Sequence, residues 1–168
     1  MAPRQLHPTA QGDKMIKLTR RALMMAAAAS GLPSLSCAES LPAIHVVEGR
    51  GCECCKQWTK YLKEQGFQVT SEERFGTLLM QHKIDLGVPV ELTSCHTGSI
   101  DDYFLEGHVP AGDIRRLLRE RPEALGLTVP GMPYGSPGMG PEKERNAYDV
   151  LLVRLDGTSE VFARYPEA

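Results

Sequence analysis

Three cysteines fall within four residues, Cys52-Glu53-Cys54-Cys55, and a fourth stands alone in Ser94-Cys95-His96. A bond between the neighbours Cys54 and Cys55 would close a strained ring, so the trio is poor material for ordinary structural disulfides. Two other chemistries suit it. Thiolates are soft ligands that favour Cu(I). A Cys-x-x-Cys pair at a helix start also supports thiol-disulfide exchange, because the helix N-terminus favours the thiolate. Cys52 and Cys55 have that spacing and share a face, whereas Cys54 points elsewhere. Three thiolates so arranged serve one atom poorly but can bridge neighbouring ions in a multi-metal cluster. Inert burial, the bland alternative for cysteine, does not call for clustering.

Imidazole also suits copper. His96 adjoins Cys95, and His108 lies in Glu106-Gly107-His108-Val109-Pro110, just before a predicted helix. Both are candidate ligands. His45 and His82 lack such company and read as ordinary histidines. Met132 and Met139 each follow a glycine in a proline-glycine loop, outside any helical stripe, and are candidate weak thioether ligands or cover for the site. Glu53 reads as a helix-start acid. A Cys₃His zinc site from Cys52, Cys55, Cys95 and one histidine is a third possibility, but it leaves Cys54 unused.

The fifth cysteine, Cys37, lies in a segment that reads as an export signal. Lys14, Lys17, Arg20 and Arg21 form a basic region, and Ala22 to Leu35 is apolar and too short to span a bilayer comfortably. Ser36-Cys37-Ala38 then supplies small residues for cleavage after Ala38. Thr19-Arg20-Arg21-Ala22-Leu23-Met24 resembles a twin-arginine signal, and general secretion fits as well. Lipid anchoring at Cys37 is disfavoured, since Ser34 stands where such sites take leucine. Residues 1–38 are therefore expected to be a signal peptide and 39–168 one small domain. Cleavage removes five of the 19 basic and one of the 21 acidic residues, leaving 14 against 20 and a net charge of −6. With no basic stripe and few aromatics, nucleic acid is not an expected partner. No second hydrophobic span follows, so no stable membrane span is expected in the mature chain. The expected compartment is the periplasm, where thiols must cycle through disulfides or be protected by metal.

Ile44-His45-Val46-Val47-Glu48 reads as a buried strand. Gly49-Arg50-Gly51 turns the chain into the cysteines, and a helix follows from Glu53 to Gln65, stopped by Gly66. A strand is expected at Phe67–Thr70, and a helix at Thr77–His82 with Leu78, Leu79 and Ile84 inward. Val88-Pro89 then opens a strand Val90–Ser94, with Tyr103–Glu106 as its neighbour. A helix is expected at Ala111–Glu120 with Ile114, Leu117 and Leu118 on one side, ended by Pro122. Residues 129–141 hold too many prolines and glycines for regular structure. Tyr148–Leu155 and Glu160–Tyr165 flank Asp156-Gly157, a hairpin signal. This order is that of an α/β, thioredoxin-like single domain with an added C-terminal β-hairpin. In such a fold a cis-proline faces the Cys-x-x-Cys turn, so Pro89 is expected to be cis, at the start of a strand ending near Cys95.

The linked strings Cys-x-Cys-Cys-x-x-Trp, Gly-Val-Pro, Ser-Cys-His-Thr, Glu-Gly-His-Val-Pro-Ala and Val-Pro-Gly-Met-Pro-x-Gly-Ser-Pro-Gly-Met are together similar to CopG-type periplasmic proteins of bacterial copper resistance. This cysteine-rich family was long classed as of unknown function. The resemblance runs from about Ile44 to the C-terminus. It implies a thioredoxin-like fold and a thiolate-bound cluster of several copper ions. By motif, Cys52, Cys54, Cys55 and Cys95 are its expected sulfur ligands and His96 and His108 its flanking histidines. Glu53 departs from the glycine common at that place, without removing a ligand.

The expected function is thus copper binding, mainly as Cu(I), for copper resistance or homeostasis, with copper ions and other periplasmic copper-handling proteins as partners. The alternative is a thiol-disulfide oxidoreductase using Cys52 and Cys55. A metal-binding protein is preferred to an enzyme because an oxidoreductase has no need of Cys54.

Overall fold

A computed structural model describes residues 41–168. The expected signal peptide, with Cys37, lies outside the described residues. Strand β1 (Ile44–Gly49) leads into helix α1 (Glu53–Glu64), strand β2 (Val69–Arg74) and helix α2 (Gly76–Asp85). Strands β3 (His96–Ile100) and β4 (Tyr103–Gly107) follow, then helix α3 (Ala111–Glu120). Strands β5 (Ala124–Val129), β6 (Tyr148–Arg154) and β7 (Ser159–Tyr165) complete a seven-stranded sheet in the order β2-β1-β3-β4-β5-β6-β7. β1 runs parallel to β2 and antiparallel to β3, and β3 is antiparallel to β4. β5 joins β4 in parallel, and β6 and β7 extend the sheet as an antiparallel hairpin.

The start of α1 follows from its sequence. The Cys52 amide donates to the Gly49 carbonyl at 3.2 Å, and Cys52 caps the helix in an extended conformation. Glu53 sits in the first turn, where its charge complements the helix dipole, and accepts from Gln57 Nε2 at 2.8 Å. Cys55, Trp58, Thr59 and Leu62 form the buried stripe at helical spacing. Trp58 and Leu62 of α1, with Ile114 and Leu117 of α3, pack into the main core with Ile44, Val46, Leu105 and Leu127 from the sheet. Val88, Phe104 and Val153 form a smaller cluster with Leu86, Leu92 and Leu125. Neighbours in β4 divide between the two: Leu105 joins the first and Phe104 the second, as strand alternation demands.

Three expectations fail, and one strand was missed. Val88-Pro89 is not cis; no cis peptide occurs among the described residues. Val90–Leu92 is a short 3₁₀ turn, not a strand, and pairing begins only at His96. Leu78 and Ile84 face solvent, while Lys83 is buried beside Leu79. The inward face of α2 consists of Leu79, as expected, and of Lys83, held by an ion pair described below. Finally, β5 was not foreseen. Its short run is interrupted by Gly126 and closely preceded by Pro122, so the sequence carries no alternation to betray it. Gly126 packs against Phe104 where a side chain would collide.

Candidate metal centre

Three segments converge. The turn after β1 and the start of α1 bring Cys52, Cys54 and Cys55. The residue before β3 is Cys95, and β3 begins with His96. His108 follows the end of β4 directly. Ligand atoms of Cys52, Cys54, Cys55 and Cys95 lie within 4.8 Å of one another, and so do those of Cys95, His96 and His108. Cys95 belongs to both sets.

In this state Cys52 and Cys55 are joined as a disulfide, with Cα atoms 5.4 Å apart, while Cys54 and Cys95 are free thiols. Cys54 Sγ lies 3.5 Å from Cys52 Sγ and 3.8 Å from Cys95 Sγ. The intervening thiol therefore connects the Cys-x-x-Cys pair to the distant cysteine. Cys55 is fully buried; the other three are partly exposed, so the sulfurs lie at the protein surface with one edge anchored in the core. Burial, reinforced by neighbouring Cys54, pushes the Cys95 thiol up to about 12. Metal-free Cys95 is a protonated thiol at neutral pH, and a metal captured there must displace its proton.

The histidines complete the other flank. His108 Nδ1 faces the Pro137 carbonyl at 2.8 Å. A carbonyl only accepts, so Nδ1 carries the proton and the Nε2 lone pair is directed toward Cys95 Sγ, 3.5 Å away. His96 Nδ1 lies 3.2 Å from the same sulfur. Its ring rests on Trp58, centroids 4.4 Å apart, and meets the His108 ring edge-on at 5.0 Å. His96 is completely buried, and burial, with the positive charge His108 and Lys83 can carry, holds its pKa well below the ordinary value. Burial lowers that of His108 too. Both rings are neutral at pH 7 and able to ligate. His96 Nε2 is buried with no hydrogen-bond partner. A buried imidazole left so incompletely satisfied is costly unless its ring serves another purpose. Four soft sulfurs and two neutral imidazoles make a donor set that fits copper.

Met132 and Met139 sit where the sequence placed them, in the loop between β5 and β6. Met132 is 44% exposed, with a left-handed backbone, and Met139 is partly buried. The loop's connection to the site is through its backbone: it supplies the Pro137 carbonyl to His108, and Gly138 lies directly on α1. A Cβ at Gly138 would come within 2.7 Å of the Trp58 backbone nitrogen, and Gly138 already has φ +85°. Gly138→Ala is therefore expected to destabilise the protein by about 2–4 kcal/mol, from left-handed strain and overpacking together. It should also free His108 by lifting Pro137. Urea unfolding checks the first effect, and the chemical shifts of the His108 ring check the second. His45 is exposed and bonds Thr70 at 3.1 Å, and His82 lies in α2; neither belongs to the ligand groups.

Sequence reasoning missed the support beneath Cys95. Lys83 of α2 is buried against Glu106 of β4, Nζ to Oε1 2.6 Å. The same carboxylate accepts from the Ser94 amide and from the Thr97 hydroxyl, each at 2.5 Å, and Lys83 also donates to Thr97 at 2.8 Å. Burial pushes the Glu106 carboxyl up, and these donors oppose the shift. The available signal was a lone lysine at the position four residues after Leu79, with a lone acid in an otherwise apolar strand. Trp58 belongs to the buried stripe of α1. It also donates from Nε1 to the Val109 carbonyl at 2.9 Å, tying α1 to the residue after His108.

A family model described as a protein of unknown function, DUF411, matches residues 92–139, the stretch that holds Cys95, His96, His108 and the proline-glycine loop. A search of curated proteins finds no match. Among solved structures, "Copper resistance protein copG- Form 1" is 46% identical, with a TM-score of 0.70, over 75% of this chain and 98% of that one. "Copper resistance protein copG- Form 2" is also 46% identical, with a TM-score of 0.68, over 75% of this chain and 99% of that one. At 46% identity, over three quarters of this chain and nearly the whole of both solved chains, the comparison is decisive: the chain belongs to the CopG copper resistance protein family.

Proposed function

We propose that this chain is an exported periplasmic protein that holds several copper ions, mainly as Cu(I), in a cysteine-thiolate cluster for copper resistance. Cys52, Cys54, Cys55 and Cys95 are the sulfur ligands, and His96 and His108 close the flank. The observation that carries this reading is the double membership of Cys95. It joins a four-sulfur group to a sulfur-imidazole group, giving six donors in one connected set. That is more than one Cu(I) uses, and bridging thiolates let several ions share it. The order β2-β1-β3-β4, with Cys-x-x-Cys at the start of the helix after β1, supports a thioredoxin-like frame for the first four strands.

Copper loading in this reading begins with reduction. A dithiol donor gives two electrons and two protons to the Cys52–Cys55 bond and leaves as its own disulfide. The four thiols then bind copper as their protons depart. Buried Cys55, His96 and His108 would limit access to bound ions from the core side, while Cys52, Cys54 and Cys95 leave the site open to exchange at the surface.

The Cys52–Cys55 disulfide favours one second reading, a thiol-disulfide oxidoreductase. Cys54 separates the two. Cys54→Ser is expected to lower the number of copper ions bound per chain while leaving Cys52/Cys55 exchange with a small dithiol intact. Copper loading by anaerobic titration and exchange by thiol trapping measure both. Unchanged copper loading with loss of exchange would place the oxidoreductase first.

A further inference from the structure

We propose that Glu106, with Lys83 as its counter-charge, is the positioning residue that fixes Cys95 and His96 for the metal. The role rests on the copper reading above, but the contacts that support it are made by the protein's own groups. One carboxylate grips both ends of the segment Ser94-Cys95-His96-Thr97. Oε1 accepts the Ser94 amide at 2.5 Å, immediately before the ligand pair, and Oε2 accepts the Thr97 hydroxyl at 2.5 Å, immediately after it. Thr97 and Glu106 are also register partners across β3 and β4, so the clamp coincides with the first residues of β3 paired to β4. On its own strand Glu106 stands two residues before His108. A single buried group thus braces the segment that carries two of the six candidate ligands.

Its neighbours leave it little freedom. Lys83 Nζ reaches it at 2.6 Å and braces Thr97 at 2.8 Å. Both side chains of the ion pair are almost fully buried. Gly107, the residue between Glu106 and His108, has φ +71°, and a Cβ there would meet the Ser94 side chain at 2.9 Å, so the Ser94 segment is pressed onto this turn. Charge-assisted bonds to a buried carboxylate are short and strong. Three of them on one group make a rigid support, and ligand geometry depends on such supports beyond the ligands themselves.

The isosteric change Glu106→Gln tests the role. An amide replaces one accepting oxygen with a donor, so it cannot accept from Ser94, Lys83 and Thr97 together. In the reduced metal-free variant, Cys95 alkylation by iodoacetamide is expected to accelerate about tenfold, the scale of one lost charge-assisted hydrogen bond, with Cys54 unchanged. The copper-loaded variant is expected to show an altered thiolate-to-copper absorption spectrum. Thr97→Val removes the Thr97 bond to Glu106 and the Lys83 bond to Thr97 while keeping the Lys83–Glu106 ion pair, and provides the same two readouts with smaller changes if Glu106→Gln does not fold. Folded variants whose Cys95 reactivity and copper spectrum match the parent overturn the positioning role. A parent protein that binds no copper, with Cys95 still accelerated in Glu106→Gln, overturns the copper reading and leaves the positioning of Cys95 standing.

Discussion

Cys95→Ser is expected to reduce copper binding from several ions to at most one per chain, a larger loss than any other single cysteine substitution gives. Each of the other cysteines belongs to one ligand group, and Cys95 belongs to both. Its sulfur lies 3.8 Å from Cys54 Sγ, 3.2 Å from His96 Nδ1 and 3.5 Å from His108 Nε2. Removing it leaves the cysteine trio on one side and two imidazoles on the other with no shared sulfur. A hydroxyl is a hard, weakly acidic donor that does not replace a bridging thiolate for Cu(I). Cys95 is partly exposed, so the fold should survive the change. Metal analysis of the reduced, copper-saturated variant, with circular dichroism as the control for folding, measures the effect.

Lys83→Met is expected to produce one of the largest losses of stability among single substitutions in the described domain, about 3–5 kcal/mol, because it leaves the buried Glu106 carboxylate without its ammonium. Methionine approximates the lysine stem in volume, so packing alone would cost far less. Replacing both partners, Lys83→Met with Glu106→Leu, should recover part of the loss, since an apolar pair in the same space carries no desolvation penalty. The recovery is expected to be incomplete, because the Ser94 amide would lose its acceptor at 2.5 Å. Urea denaturation of the two variants beside the parent separates these contributions.

These two residues also mark where the sequence can be read and where it cannot. The chemistry of the site was legible because it is carried by residue type and by short spacing: three cysteines in four residues, and Cys95 beside His96. Amphipathic helices were equally plain. α1 and α3 run where helices were expected, and their buried residues, Cys55, Trp58 and Leu62 in one and Ile114 with Leu117 in the other, recur at the fixed period of helix burial. The inward face of α2 was legible only in part: Leu79 is buried as expected. Leu78 and Ile84 are the apolar choices, yet both are exposed while Lys83 is buried. Its position is decided by Glu106, 23 residues away in sequence, and no local pattern encodes a long-range ion pair. Pro89 misled for a related reason. A cis bond was expected as the means of bringing Cys95 to the trio. The protein achieves the approach with an ordinary trans bond, a 3₁₀ turn at Val90–Leu92 and the Glu106 clamp on Ser94. The role of Pro137 in holding the His108 tautomer was hidden for another reason: a backbone carbonyl has no signature in sequence.

An anaerobic Cu(I) titration of the reduced protein, with a chromophoric chelator competing and Zn(II) present at equal concentration, tests the central claim most directly. Saturation at more than one Cu(I) per chain, undisturbed by zinc, and a marked fall in capacity when the Cys52–Cys55 disulfide is left intact, are the results expected of a multinuclear thiolate site. Saturation at a single ion, or displacement of copper by equimolar zinc, would contradict it.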